Sequence, residues 1–66
     1  MKIYIEKQNK LLELKADKAR NGTRLLEELS INPDTVILVK NNEVILPEED
    51  LSEADDIKIL SVISGG

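Results

Sequence analysis

The chain has no cysteine and no histidine. Without thiol or imidazole there is no disulfide framework, no thiolate or imidazole nucleophile, and none of the usual zinc ligands. Phenylalanine and tryptophan are also missing, leaving Tyr4 as the one aromatic residue. No hydrophobic run approaches the roughly 18 residues that a membrane span requires. The opening Lys2-Ile3-Tyr4-Ile5-Glu6 alternates polar and apolar and offers no small-residue cleavage site, so a soluble, cytoplasmic protein is expected. Positive charge is in deficit: nine Lys and Arg stand against thirteen Asp and Glu, a net charge of −4. Phosphate-neutralising nucleic-acid binders depend on clustered cations, and no basic stripe is present, so no direct nucleic-acid contact is expected.

What is there suits one small folded unit. Sixty-six residues, 41% hydrophobic and 33% charged, have the composition of a globular domain rather than a disordered tail. A chain this short buries only about 60% of its unfolded surface and cannot build a second core. A single domain over residues 1–66 is therefore expected, and a monomer is the plain expectation. Little material is left for an internal active-site cavity, and the protein is not expected to be an enzyme in its own right.

Period-two alternation predicts a strand over residues 2–6, with Ile3 and Ile5 on one face. The polar Lys7-Gln8-Asn9-Lys10 separates it from residues 11–15, where Leu12 and Leu14 alternate with charge, and the two runs read as a hairpin. A loop follows to Asn21-Gly22. Thr23 is placed as N-cap of a two-turn helix burying Leu25, Leu26 and Leu29, ended by Asn32-Pro33-Asp34. Residues 35–40 are β-branched and apolar on both faces, as in a central strand. Asn41-Asn42 is a tight turn into residues 43–46, and Pro47 stops that strand. Leu51 is expected to plug the core from an acidic loop, and residues 57–63 form the last strand. The class is α+β, one helix covering one face of a mixed sheet.

The uncovered face is the first functional candidate. Ile37, Val39, Leu60 and Val62 are placed on it because that parity also puts Lys58 outside. These four form an aliphatic docking patch, and Ile63 and Ser64 after it are expected to bind the partner as well. The second candidate is the ending Ser64-Gly65-Gly66. Glycines lack Cβ atoms, so such a tail is narrow and conformationally free. It can thread a constricted channel and present its carboxylate to a reactive site.

These residues resemble the β-grasp ubiquitin-like sulfur carriers and modifiers. The resemblance runs through the whole chain: the element order, Asn32-Pro33-Asp34-Thr35-Val36 entering the third strand, the Asn41-Asn42-Glu43-Val44 turn, and most specifically the ending from Ile57 to Gly66. It is similar first to the archaeal small modifier proteins related to the ubiquitin-related modifier. ThiS, the thiazole sulfur carrier, is close behind. MoaD, the molybdopterin carrier, is further off because its proline-containing, aromatic-rich tail is missing. Ala54-Asp55-Asp56 replaces the Gly-Asp of many relatives, a departure confined to a turn.

The resemblance implies a β-grasp fold, with a flexible Gly-Gly tail, and a partner of the ubiquitin-activating type. That enzyme would use ATP and magnesium to adenylate the Gly66 carboxylate, with Gly65 keeping the fit of the channel. The protein itself would bind no cofactor. A sulfur donor would then give a thiocarboxylate, for tRNA thiolation or for thiazole or molybdopterin synthesis, or a target-protein lysine would give an isopeptide bond. Lys58, beside the patch, is the candidate acceptor among the chain's own lysines. The alternative is a non-covalent β-grasp interaction module in which the terminal glycines are incidental. The acidic Glu48-Glu49-Asp50, with Glu53, Asp55 and Asp56, lacks the ligand spacing and glycine of a calcium loop and reads as solvated surface.

Overall fold

Alternating side chains build the sheet in pairs. β1 (Lys2–Ile5) and β2 (Lys10–Glu13) run antiparallel. They are joined by a 3-10 turn over Glu6–Gln8 that Asn9 closes in the left-handed region, φ 47°. The computed structural model describes residues 1–62, so Ile63, Ser64, Gly65 and Gly66, and the expected tail behaviour, lie outside the described residues.

β3 (Val36–Lys40) and β4 (Glu43–Ile45) form the second hairpin. Its two-residue connection, Asn41 and Asn42, has φ of 50° and 71°. Positive φ at both central positions matches the right-handed twist of the flanking strands, and asparagine tolerates it better than other non-glycine residues. β5 (Asp56–Ser61) lies between the hairpins, parallel to β1 and antiparallel to β3. The sheet order is β2-β1-β5-β3-β4. This mixed five-stranded sheet with its single helix is the expected α+β, β-grasp arrangement.

The helix α1 (Gly22–Glu28) begins one residue before the expected cap. Asn21, not Thr23, is the N-cap: its Oδ1 accepts from the Arg24 amide at 2.9 Å. The Thr23 amide donates instead to Pro47 O at 2.9 Å and its hydroxyl to the same oxygen at 3.3 Å. The start of the helix is thereby fixed to the loop after β4. Gly22 permits that approach, because a Cβ there would meet the Leu38 side chain and lie 2.8 Å from Pro47 O. The helix also ends earlier than Pro33 requires. Ser30 turns left-handed (φ 58°), its amide donating to Glu27 O and that of Ile31 to Leu26 O at 2.8 Å, a Schellman closure. Pro33 starts a separate 3-10 turn, Pro33–Thr35, leading into β3.

Leu25 and Leu26 pack with Ile3, Ile5, Leu38, Ile45, Leu51, Ile57 and Ile59 in one core. The register explains it. Ile5, Ile59, Leu38 and Ile45 sit opposite one another across four strands, all pointing to the helix side.

Candidate functional site

Side chains alternate across a strand, so the core positions define the other face. One cross-sheet row there is Leu11, Tyr4, Lys58, Val39 and Val44. Beside it Leu60 faces Ile37, with Leu46 continuing the alternation past β4 and Val62 past β5. The large apolar side chains that remain exposed among the described residues are Leu11 (68%), Ile37 (39%), Val44 (73%), Leu46 (67%) and Val62 (46%). All belong to this face. Such concentration on one side differs from the scattered aliphatics of an ordinary surface.

The predicted patch residues fare unequally. Ile37 and Val62 are exposed and Leu60 is half-buried. Val39 lies on the same face, yet only 9% of it is accessible. Its register neighbours Val44 and Lys58 flank it on both sides, so Val39 forms the floor of the patch rather than part of its exposed surface. Leu11, Val44 and Leu46 were missed by sequence reasoning. A signal was available: adjacent apolar residues in one strand, Leu11-Leu12 and Val44-Ile45, must place one of each pair outside.

β5 is tied on both sides as it ends: the Ser61 amide donates to Glu6 Oε1 at 3.1 Å and the Val62 amide to Thr35 O at 3.1 Å. The sheet therefore holds the chain in place up to Val62. Ile63, Ser64, Gly65 and Gly66, all named as site residues from sequence, follow beyond the described residues.

Lys58 is exposed in the middle of the apolar row. The ion pairs among the described residues are Arg24–Glu27 and Lys40–Glu49, so Lys58 takes part in neither. The acidic loop is less solvated than its sequence suggests. Glu53 Oε2 accepts from the Ala16 amide at 2.6 Å, and Asp55 is buried. Asp55 Oδ2 accepts from the Ser52 amide at 2.7 Å and Oδ1 from Asn41 Nδ2 at 2.9 Å. Burial pushes the Asp55 carboxyl up, but the Ser52 amide, the Asn41 and Ser52 side chains and the Lys40 charge outweigh it and hold it below the ordinary value. These carboxylates pin loops. Among the described residues no three His, Cys, Asp or Glu side chains come together as a metal-holding group, and no helix is long and apolar enough to cross a membrane.

A five-stranded mixed sheet covered on one side by a helix, with an apolar open face on the other, defines a ubiquitin-like β-grasp protein. The model of the ThiS family matches residues 3–66, nearly the whole chain. Sulfur carrier protein TtuB of Thermus thermophilus is 39% identical over 59 residues, covering 89% of this chain and 88% of that one. An uncharacterized protein of Archaeoglobus fulgidus is 47% identical over 49 residues, 70% of this chain and 72% of that one. The chain belongs to the ThiS family of ubiquitin-like sulfur carriers, which are small carrier proteins and not themselves enzymes.

Proposed function

We propose that this protein carries sulfur as a thiocarboxylate on the Gly66 carboxylate. The observation that carries the reading is the family match, which extends through the Gly65-Gly66 ending to residue 66. The likeness to a protein named a sulfur carrier along nearly the full length of both chains supports it.

A carboxylate is a poor electrophile, so its activation needs a leaving group. A partner adenylating enzyme of the ubiquitin-activating type attaches the carboxylate to the α-phosphate of ATP with magnesium, releasing pyrophosphate. A sulfur donor then displaces AMP. The partner supplies the phosphate site and the electrostatic stabilisation, while the carrier supplies a narrow tail and a docking face. Ile37, Leu60 and Val62, with Val39 beneath them, make the part of that face nearest the tail, and Ile63 and Ser64 connect it to Gly65 and Gly66. The need for ATP puts the reaction in the cytoplasm. Attack on the same acyl-adenylate by a lysine amine would give an isopeptide bond instead, and Lys58 is the candidate acceptor within the chain. Thiolated tRNA, thiazole and molybdopterin are the alternative sulfur destinations.

The test is intact-mass and tryptic analysis of untagged protein purified from its host, with and without thiol-sensitive handling. A sulfur carrier shows one carboxylate oxygen replaced by sulfur. Conjugation leaves Ile59-Leu60-Ser61-Val62-Ile63-Ser64-Gly65-Gly66 branched on a target lysine, because no Lys or Arg follows Lys58. Finding neither, under conditions where an established carrier is detected, would favour the non-covalent module.

A further inference from the structure

The open sheet face is not uniformly apolar: a cation stands at its centre. Lys58 has Tyr4 as its register partner on β1 and Val39 on β3, with Leu60 two residues on along the same face. Beyond these flanks lie Leu11, next to Tyr4, and Val44, next to Val39. The carboxylates near this row, Asp56 two residues before Lys58 on the same face among them, form no ion pair with Lys58. Glu6 accepts from the Ser61 amide, while Glu13 and Asp56 fall in the row of Lys2, opposite it on either side. Among the described residues Lys58 makes neither an ion pair nor a hydrogen bond of its ammonium group.

A purely apolar partner covering this face would strip water from an unpaired ammonium, which is strongly unfavourable. We infer that the open face is built for a protein partner that brings a carboxylate into the middle of an apolar contact, where it pairs with Lys58. This rests on the reading of the open face as the docking surface of an activated carrier. Lys58 is then a specificity residue. It rewards a surface carrying one correctly placed acid and rejects apolar surfaces that lack it. The protein's net charge of −4 makes a central cation the more selective feature, because the acidic remainder repels a partner that is acidic all over.

The experiment measures adenylation of the purified full-length carrier by its host's ATP-dependent activating enzyme, read as pyrophosphate release against carrier concentration. Wild type is compared with Lys58→Met and Lys58→Arg, each checked for an unchanged melting temperature. Lys58→Met should raise the KM for the carrier about 30-fold or more, the partner's acid being left buried and unpaired, with kcat retained. Lys58→Arg keeps the charge and should stay within about threefold of wild type. If docking were apolar alone, Lys58→Met would bind tighter, since the added methyl replaces a costly charge, and that outcome overturns the inference. Equal failure of Arg and Met overturns it too, by showing that the amine rather than the charge is needed. Should wild type itself not be adenylated, the functional reading falls and the assignment falls with it. Normal wild-type turnover with unaffected variants overturns the assignment alone.

Discussion

Asp55 is the one buried charged side chain among the described residues, and it shows how a single carboxylate can organise a turn. Its two oxygens join Ser52, within the acidic loop, to Asn41, in the hairpin turn. Asn41 in turn accepts from the Asp56 amide at 2.9 Å, where β5 begins. Because the Asp55 carboxyl is held below its ordinary value of 3.8, its stabilisation is fully present above that value and is lost as pH falls through the lower folded one. Replacing Asp55 with Ala should therefore cost about 1–3 kcal/mol at neutral pH by leaving two donors unsatisfied. Urea titrations across the acid range should show the gap between wild type and variant closing on acidification. A gap independent of pH would mean that shape, not charge, holds the turn. Asp55 could not be singled out in the sequence, where it is one acid in an acidic run. Its Asn41 partner lies 14 residues away, and only the fold brings them together.

Elements were legible in proportion to how local their causes are. The first hairpin follows from alternation, the strand over residues 35–40 from its β-branched apolar run, and the Asn41-Asn42 turn from a conformational preference carried by the residues themselves. The ends of the helix were not legible in the same way. Asn21 and Thr23 are both capping types two positions apart, and the choice was made by Pro47, whose carbonyl claims the Thr23 amide and hydroxyl. At the other end Ser30, an unremarked polar residue, adopts φ 58° ahead of the proline expected to end the helix. These two termini make opposite predictions. Asn21→Ala removes a side-chain cap and should destabilise by about 1 kcal/mol. Ser30→Gly relieves a left-handed Cβ clash and should stabilise by about 1 kcal/mol. Thermal or chemical denaturation of both variants checks the pair, and a destabilising Ser30→Gly would show that chain entropy outweighs the strain. The order of the sheet was the least local feature, since no turn signal announces that the first and last strands pair in parallel.

Across the whole molecule, the two faces of one sheet do different work, and substitutions should separate them. On the helix side Leu38 is 3% exposed and belongs to the core. On the other side Val44, displaced by six positions along the same hairpin, is 73% exposed. Val44→Glu removes little buried area and should change stability by no more than about 0.5 kcal/mol, whereas Leu38→Ala should cost about 2–5 kcal/mol through the cavity it leaves. Function should rank them in the other order. A carboxylate at position 44 enters an apolar contact without a partner and, in the row of Lys58 with Val39 between them, competes for the cation that the partner's acid needs. It should weaken docking of the activating enzyme by about tenfold or more. Leu38→Ala, measured at a temperature where it remains folded, should dock normally because the patch above it is intact. Arg24→Glu, on the exposed side of the helix, controls for net charge: it makes a larger acidic change, two charge units against one, on the opposite side of the fold, and should leave docking unchanged. Equal loss for Val44→Glu and Arg24→Glu would mean that the partner senses overall charge rather than the open face, and would move the docking surface away from the sheet.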